Sequence, residues 1–525
     1  MAPSHEAAIS HIAATVRAFF VRREPFRVFH GSTNSTRPGH GGRVVDISAL
    51  NNVLSIDEKS RTAVVEPNVP MDKLVQATLA CGLVPPVVME FPGITVGGGF
   101  AGTAGESSSF RYGYFDQTVK SIEMVLATGD VVRASESENP DLFQGARGTA
   151  GTLGIAIKLE LDLIPAKPFV KLEYHSYNSV ADTIAAVKRA TEDLANDYVD
   201  GVLYSKTLGL VMTGRLTDEI PPSTQPQTFS GAWDPWFYLH AEERAKAHQS
   251  QQPSHPPPTD YIPLAEYLFR YDRGGFWVGA QAFRYFPFMP FNRLTRWFLN
   301  DFMHTRMLYR ALQGRNHTSL STMVMVQDLS LPYASAEAFV DYAASTLAIW
   351  PLWLCPLRAT APPTFHPSYC GPRGDGPPQP MLNIGLWGAA PSSSSVEDFV
   401  KQNEDLEKHL AELGGRKVLY SHVYYTEEEF WSLYDRAWYE RLRERYAAAS
   451  LPSLYEKVHV DVEKVMGPAS GRGIRAWLSR LAGVWPLPGI LGIWWAMRSR
   501  DYLIHRQPCW TYWKGVERSL KQKDA

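Results

Sequence analysis

Residues 91–115 form the part of this sequence best suited to chemistry, with seven glycines and four serine or threonine residues after Gly102. Such a tract exposes backbone N–H groups and short hydroxyls to a ligand that must approach closely. A concave array of N–H dipoles favours an anion, most often a phosphate. Because glycine costs about 1 kcal/mol per helical position, we expect a non-helical structure here. The alternative is a glycine-rich surface loop without a ligand.

The same tract contains the pattern G-x-G-x-x-G at Gly97, Gly99 and Gly102, with Glu123 about twenty residues later, as in a Rossmann dinucleotide site. In a Rossmann site this pattern opens a helix. The residues after Gly102 lack an apolar period of 3.6 residues. The sequence therefore argues against a Rossmann site.

A second tract of glycine and short hydroxyl side chains, HGSTNSTR, occupies residues 30–37 after a short predicted strand. It suits a pyrophosphate, with Arg37 adding positive charge. The alternative is a turn held by Asn and Ser side chains, which bond readily to the nearby backbone. The two tracts together indicate phosphate binding more strongly than either tract alone.

Two segments of the central chain carry candidate proton donors. Segment 269–277 places two arginines and an aspartate among aromatic residues, where charges are costly unless they pair or face a ligand. Either the charges pair structurally, or Tyr271 and Arg273 contact a cofactor or substrate. Segment 422–425 ends a predicted strand, where Tyr424 offers a hydroxyl for proton transfer or serves only as a packed aromatic.

Composition excludes several classes of protein. Among 525 residues, 45% are hydrophobic and 20% are charged, which is typical of an ordered protein of two or three domains. A formal net charge of −2 argues against a nucleic-acid binder. Four scattered cysteines show no zinc spacing and indicate a reducing compartment rather than a disulfide framework. The first twenty residues do not read as a signal peptide or a membrane span.

The two tracts must be positioned by the elements of residues 1–165, for which the sequence predicts a strand-rich α+β unit. A third small-residue tract, GTAGTLG at 148–154, precedes its last strand. Residues 166–430 alternate amphipathic helices with strands, which predicts an antiparallel sheet with helices on one face. Residues 361–380 are expected to form a mobile surface excursion with little chemical content.

The order of these tracts resembles the FAD-binding domain of the vanillyl-alcohol-oxidase superfamily, also called the PCMH type. Stretches such as VVEPNVPM, LIPAKPFVKLEY, WPLWLCP and YYTEEEFWSLYD extend the resemblance, over roughly residues 20–460, to the Delta(24)-sterol reductase family. The resemblance implies an α+β fold with a two-subdomain FAD-binding domain at 1–165 and a substrate or cap domain at 166–430. It also implies closing helices at 431–465 that return to the FAD domain.

The resemblance assigns cofactor-binding roles to residues of all three tracts. The FAD pyrophosphate is expected on the first two tracts and the flavin ring near the third. The residues implied are Gly31, Ser32, Thr33, Asn34, Ser35, Gly97, Gly98, Gly99, Thr103, Gly105, Glu106, Ser107, Ser108, Gly154 and Ile155.

Two departures from oxidase members of the superfamily concern attachment of the flavin. Asn34 stands where several members carry a histidine that binds the flavin covalently, and Gly93 stands where some carry a cysteine. Neither residue can form such a bond. We therefore expect FAD to be dissociable.

Residues 466–525 lie beyond the resemblance. Arginines flank an apolar run at 481–497 that contains two prolines and is shorter than the ~20 residues needed to span a bilayer. Tryptophans beside basic residues favour attachment to a membrane interface. A buried helix pair or a dimer contact is the alternative. With the resemblance, this predicts an intracellular protein at the endoplasmic reticulum membrane, facing the cytosol.

Three functions remain after these observations. The first is an FAD-dependent reductase of a C=C bond, most closely the Δ24 bond of a sterol side chain. NADPH is its reductant, and its nicotinamide shares the flavin site. Tyr271, Arg273 and Tyr424 are its candidate proton donors. The second is an oxidase or dehydrogenase of an alcohol or secondary metabolite that uses O2. The third is a membrane-associated binding protein that keeps FAD without catalysis.

Overall fold

Two antiparallel sheets organise the chain in the computed structural model, which describes residues 4–31, 43–250, 255–313, 324–389, 395–461 and 486–506. The five-stranded sheet belongs to the N-terminal part and the eight-stranded sheet to the central part. This arrangement confirms the predicted α+β class.

The larger sheet of the N-terminal part has the strand order β3-β4-β8-β6-β7, and all neighbouring strands in it are antiparallel. β1 and β2 form a separate parallel pair, and β5 pairs with β9. Its elements are α1 (His5–Val21), β1 (Arg27–Phe29), β2 (Val44–Asp46), β3 (Val53–Asp57), β4 (Thr62–Val65), α2 (Met71–Leu79), β5 (Leu83–Val84), α3 (Val96–Gly102), α4 (Ser109–Tyr112), β6 (Val119–Leu126), β7 (Val131–Ser135), α5 (Pro140–Ala146), β8 (Gly154–Asp162) and β9 (Ile164–Pro165).

The glycine-rich tract contains the short helices α3 and α4, so the prediction of a non-helical structure was wrong. Thr95 caps α3, since its hydroxyl accepts a hydrogen bond from the Gly98 N–H at 3.1 Å. A Cβ on Gly99 would lie 2.4 Å from Cε of Met89. This close packing outweighs the low helix propensity of glycine. Because α3 ends at Gly102 among antiparallel strands, the tract is not a Rossmann site.

The central part forms one antiparallel sheet with the strand order β13-β10-β12-β11-β15-β16-β14-β17. Helices α6, α12 and α13 contribute buried apolar side chains to one core with strands β11, β14, β15 and β16. The elements are β10 (Phe169–Tyr177), α6 (Val180–Glu192), β11 (Tyr198–Ser205), β12 (Leu208–Thr217), α7 (Phe237–Gln249), β13 (Thr259–Pro263), α8 (Leu264–Leu268), α9 (Val278–Tyr285), α10 (Arg293–Phe298), α11 (Thr305–Gln313), β14 (Val324–Pro332), α12 (Tyr333–Tyr342), β15 (Leu352–Leu357), β16 (Met381–Ala389), α13 (Val396–Glu412) and β17 (Arg416–Lys417).

The chain after β17 returns to the N-terminal part through α14 (Glu427–Leu433), α15 (Arg436–Arg445) and α16 (Leu454–Val458). Tyr439 of α15 donates its hydroxyl hydrogen bond to Thr152, and Arg445 pairs with Asp141. These contacts join the closing helices to the segment around α5 and β8.

A last helix, α17 (Leu487–Ser499), packs against α11 of the central part. A Cβ on Gly492 would lie 2.5 Å from the carbonyl oxygen of Ala311, so the two helices approach closely. After α17, His505 bonds Asp301 at 2.8 Å and stacks on His304, with ring centroids 3.9 Å apart. Within the part of the chain described above, no helix is both long and apolar enough to cross a membrane.

The segment 361–380 is more than the surface excursion that the sequence predicted. Phe365 and His366 are buried. The His366 ring lies 2.8 Å from the carboxylate of Asp116, a residue of the N-terminal part just before β6. Burial of these two side chains anchors the first half of the segment.

Candidate functional site

A cavity of about 690 Å³ lies where the N-terminal part meets the eight-stranded sheet. This volume is typical of a site for a cofactor or a drug-sized ligand. One wall comes from the N-terminal part, chiefly α3, the loop before it and the start of β8. The other comes from α11 and from strands β14, β15 and β16.

Eight of the predicted cofactor residues line this cavity. They are Gly31, Gly97, Gly98, Thr103, Gly105, Glu106, Gly154 and Ile155. All three small-residue tracts thus contribute to one site. The predicted residues Ser32, Thr33, Asn34 and Ser35 lie outside the described residues.

Three predicted cofactor residues do not line the cavity. Gly99 faces Met89 and the ring of Phe115. Ser108 donates its hydroxyl hydrogen bond to the carbonyl of Pro86 at 2.8 Å, and the Ser107 hydroxyl lies 3.5 Å from that of Tyr267. Their side chains or backbones hold the tract in place, which corrects the prediction that they contact the cofactor.

The backbone donors of α3 are also engaged within the protein. The Gly97 N–H donates to the carbonyl of Pro67 at 2.7 Å, and the Gly99 N–H donates to the carbonyl of Thr95 at 2.8 Å. The Gly98 N–H is taken by the Thr95 hydroxyl. These three amides are therefore not the open phosphate donors that the sequence predicted, and the glycines act mainly by allowing close approach.

Thr103 provides the best test of whether the site fits FAD. Its backbone is left-handed (φ 59°), and its buried hydroxyl has no hydrogen-bond partner among the described residues. A buried hydroxyl without a partner is costly, and Thr103 is one of the residues that line the cavity. On the same wall, a Cβ on Gly154 would lie 2.7 Å from the carbonyl oxygen of Val125. This close backbone approach requires glycine, and the residues present fit FAD.

Three basic side chains line the end of the cavity near β1. Arg27 and His30 come from β1 and the residue after it, and Lys457 comes from α16. The Lys457 ammonium donates to the carbonyl of Ala150. Burial and the nearby Lys457 lower the pKa of His30. The positive charges of Arg27 and Lys457 at this end suit a bound diphosphate.

The opposite wall carries a hydrogen-bonded group of three polar side chains. Asp328 on β14 accepts a bond from Nδ2 of Asn383 on β16 at 2.8 Å and one from the Tyr420 hydroxyl at 2.6 Å. Burial raises the pKa of the Asp328 carboxyl, although both hydrogen bonds oppose the shift. A carboxyl of this kind is predisposed to hold a proton.

Glu90, in the loop before α3, is a second carboxyl on the cavity wall. Burial raises its pKa to about 8, and the negative charge of Asp328 adds to the shift. Its backbone N–H donates to the carboxylate of Glu106 at 3.0 Å, which fixes the loop. At neutral pH the cavity therefore holds Glu90 mainly as the neutral acid.

Large apolar and aromatic side chains fill much of the remaining surface of the cavity. Phe91, Tyr309, Trp353, Leu357 and Trp387 line it. The ring centroids of Trp353 and Trp387 lie 5.8 Å apart. Such a surface excludes water and suits a lipophilic substrate.

The structure places the predicted proton donors Arg273 and Tyr271 away from the cavity. The Arg273 guanidinium donates to Oδ1 of Asn300 and to three backbone carbonyls, including that of Phe229. Burial lowers its pKa to about 10. The Tyr271 hydroxyl donates to Asp200 at 3.0 Å. Both side chains thus stabilise the protein interior, which corrects the prediction that they face a ligand.

Tyr424 also lies outside the cavity, among residues of the sheet's helix-covered core. Its N–H donates to the Glu407 carboxylate at 3.0 Å, and Glu407 pairs with the buried Lys417. The burial of Tyr424 in this core, away from the residues that line the cavity, favours the packed-aromatic alternative.

Sequence reasoning missed Glu90, Asp328 and Tyr420 because no motif joins them. Asp328 and Tyr420 lie 92 positions apart in the chain. The available signal was a carboxylate within an apolar run, in VVMEFP and in MVQDLSL. Charged side chains are rarely buried without a partner or a function, so these runs mark candidates without saying where they meet.

Comparison with known proteins supports this geometry. A family model described as "FAD binding domain" matches residues 2–135. The chain is 30% identical to a Delta(24)-sterol reductase of Homo sapiens over 413 residues, which covers 78% of this chain and 76% of that protein. It is 29% identical to a Delta(24)-sterol reductase of Arabidopsis thaliana, covering 79% and 76%. Cytokinin dehydrogenase 9 of Oryza sativa subsp. japonica is 25% identical over 230 residues, 40% of this chain and 42% of that protein.

Proposed function

Because this chain belongs to the Delta(24)-sterol reductase family, we propose that it reduces the Δ24 double bond of a sterol side chain. FAD is its cofactor and NADPH its reductant. The observation that carries the proposal is a single cavity with two kinds of wall. One wall has the small residues that suit an FAD site, including Thr103, and the other carries large apolar side chains and the buried carboxyl of Asp328.

FAD, once bound and reduced, supplies a hydride to an alkene carbon. Gly31, Thr103, Gly105, Gly154 and Ile155 are the described residues that would hold it. In this proposal, residues 1–165 bind the cofactor, residues 166–430 form the substrate cap, and residues 431–465 close the site. The apolar wall excludes water, so a proton donor on it acts in a dry environment.

The proposal is tested by separating the two half-reactions of the purified protein loaded with FAD. Anaerobic NADPH should bleach the flavin absorbance, and desmosterol should restore it with formation of the saturated side chain. The matched control is cholesterol, which lacks the Δ24 bond and should leave the flavin reduced. Reoxidation by O2 alone would favour an oxidase, and absence of bleaching would favour a binding protein.

We also propose that the protein meets the membrane through the exposed side of α17. Leu487, Ile490, Trp494 and Met497 are exposed and spaced three or four residues apart, so they share one face of the helix. The Arg498 guanidinium lies 5.0 Å from the Trp494 ring centroid, and tryptophan beside arginine is typical of interfacial helices.

A second exposed apolar group adjoins this face. It consists of Phe288, Phe291, Leu294, Trp297 and Phe298, in α10 and the loop before it. The two groups are neighbours, since a Cβ on Gly489 would lie 2.5 Å from the Tyr285 ring, and Phe286 packs against Phe288. We propose further that this membrane is that of the endoplasmic reticulum and that the protein lies on its cytosolic side.

Co-sedimentation with vesicles of phosphatidylcholine and phosphatidylserine tests this surface. Changing Leu487, Ile490 and Trp494 to Ser should move the protein from the vesicle pellet to the supernatant. Leu194→Ser changes an even more exposed apolar residue far along the chain; it is the control and should still sediment. Unchanged sedimentation of the triple variant would refute the proposal. Loss of a dimer in light scattering would instead assign the face to a second copy of the chain.

A further inference from the structure

Tyr420 and Asp328 form a hydrogen-bonded pair on the cavity wall. Its geometry fixes the path along which a proton can pass between the carboxyl and the phenol. Asp328 lies on β14, and its backbone carbonyl accepts the Val418 N–H at 3.0 Å. This bond fixes the segment after β17, which brings the Tyr420 hydroxyl to 2.6 Å from Oδ2 of Asp328. Both side chains line the cavity.

Asn383 determines which oxygen of Asp328 carries a proton. Its Nδ2 donates to Oδ1 of Asp328 at 2.8 Å, so Oδ1 acts as an acceptor. A proton on the carboxyl must then reside on Oδ2, the atom that faces Tyr420. When Asp328 is ionised, the Tyr420 hydroxyl donates to Oδ2. When Oδ2 is protonated, it donates to the Tyr420 oxygen instead, which leaves the phenol hydrogen available for another acceptor.

The surrounding strands leave room for this arrangement. Gly385 is paired with Asp328 across β14 and β16. A Cβ on Gly385 would lie 3.1 Å from Oδ1 of Asp328 and 2.7 Å from the Trp387 ring. Any side chain there would displace the carboxyl or the indole. Glycine therefore allows the acid and an apolar ring to occupy the same wall.

Resting on the proposed function, we propose that Tyr420 donates the proton that completes reduction of the substrate double bond, and that Asp328 reprotonates Tyr420. The raised pKa of Asp328 supports a neutral acid in this position. Burial also raises the pKa of Tyr420, so the phenol is protonated before reaction.

The π bond breaks, one alkene carbon receives the hydride that NADPH supplied through the cofactor, and the other takes the proton of Tyr420. The Tyr420 O–H bond breaks as that C–H bond forms, and the phenolate takes the proton from Oδ2 of Asp328. A solvent proton restores Asp328. NADPH is oxidised and the alkene is reduced by two electrons.

Glu90 is the competing donor in the same cavity. It lies in the loop before α3, and burial raises its pKa to about 8. Burial also raises the pKa of the neighbouring Tyr309. The carboxyl side chains of Glu90, Glu106 and Asp328 line the cavity. Among them, Asp328 has a hydrogen bond of 2.6 Å to a phenol hydroxyl, that of Tyr420.

The experiment compares Tyr420→Phe and Asp328→Asn with wild type in separate half-reactions of the FAD-loaded protein. Reduction by NADPH should stay within about twofold, because it needs no proton on carbon. Reoxidation by desmosterol should fall about 100- to 10 000-fold, the usual contribution of a general acid. Reoxidation by ferricyanide should be unchanged. Tyr424→Phe, a buried tyrosine outside the cavity, is the matched control and should reoxidise normally.

Two further measurements keep the test independent of activity. Binding of cholesterol to Tyr420→Phe, followed by the flavin spectrum, should match wild type, which shows an intact site. The infrared difference between wild type and Asp328→Asn should show the carbonyl band of a protonated carboxylic acid. Loss of reoxidation in Glu90→Gln but not in Tyr420→Phe would overturn the proposal. Failure of wild type itself to be reoxidised by desmosterol would instead reject the proposed function.

Discussion

Arg310 donates from Nε to Oδ2 of Asp501 across 2.8 Å, and this ion pair joins the segment after α17 to the helix that lines the cavity. Tyr309 and Arg310 are the α11 residues on the cavity wall. The C-terminal segment therefore helps to hold in place the helix α11, which lines the cavity.

Asp501→Ala should loosen this support. The pair is partly buried, so we expect the free energy of unfolding to fall by about 1 kcal/mol. Trypsin should also cleave near α17 sooner than in wild type. Asp130→Ala breaks the largely exposed pair with Arg17 and serves as the control, with almost no change expected. Equal cleavage rates in the two variants would contradict the role of Asp501.

Thr103→Val should weaken FAD binding about tenfold, because Thr103 lines the cavity and its hydroxyl has no partner among the described residues. Titration of the apoprotein with FAD, followed by flavin fluorescence, measures the change. Thr149→Val is the matched control, since the Thr149 hydroxyl bonds the Ala146 carbonyl and does not line the cavity. An FAD affinity equal to wild type in Thr103→Val would exclude this contact.

Gly99→Ala should destabilise the N-terminal part by about 1–3 kcal/mol, as overpacking does. The new methyl would meet Met89 and the Phe115 ring, which lies 2.9 Å from the Cβ position. Urea unfolding of the apoprotein measures the loss. Gly102→Ala, in the same helix with Tyr420 Cβ as its nearest contact at 3.8 Å, should keep wild-type stability. A larger loss at Gly102 than at Gly99 would contradict the packing of α3.

Glu90 should make the protein less stable as pH rises from about 5 to 8. Its folded pKa, raised by burial to about 8, exceeds the unfolded value of 4.5, so the folded state binds more protons between these limits. Glu90→Gln removes the titration, so its stability relative to wild type should increase over the same range. Urea unfolding of both proteins at several pH values measures the difference. A pH-independent difference would show that Glu90 is not buried as an acid.

FAD should leave the protein on acid precipitation, because Gly93 cannot bind the flavin covalently and Asn34 replaces the histidine of oxidase members. The yellow colour should appear in the supernatant. The pellet of an oxidase with a histidyl flavin is the positive control and should stay yellow. Colour retained in the pellet of this protein would contradict the prediction.

The sequence predicted the FAD site better than the catalytic site, for a physical reason. Backbone approach to a phosphate requires runs of glycine and small hydroxyls that are contiguous in the chain, and these are visible at 91–115 and 148–154. In the structure, described residues of all three tracts line one cavity. The predicted non-helical structure was wrong at α3, because packing of Gly99 against Met89 outweighed local helix propensity.

Residue types and local spacing predicted the α+β class and a phosphate-binding site, and the resemblance of the sequence motifs to a known family implied the FAD cofactor. Tertiary structure alone decided which polar side chains face the ligand. No sequence motif separates Tyr271 and Arg273 from Asp328 and Tyr420, since aromatic or aliphatic residues lie near each of the four in the chain. Only the folded chain shows that the first two bond to interior partners, while strands from distant parts of the sequence bring the second two together on a cavity wall.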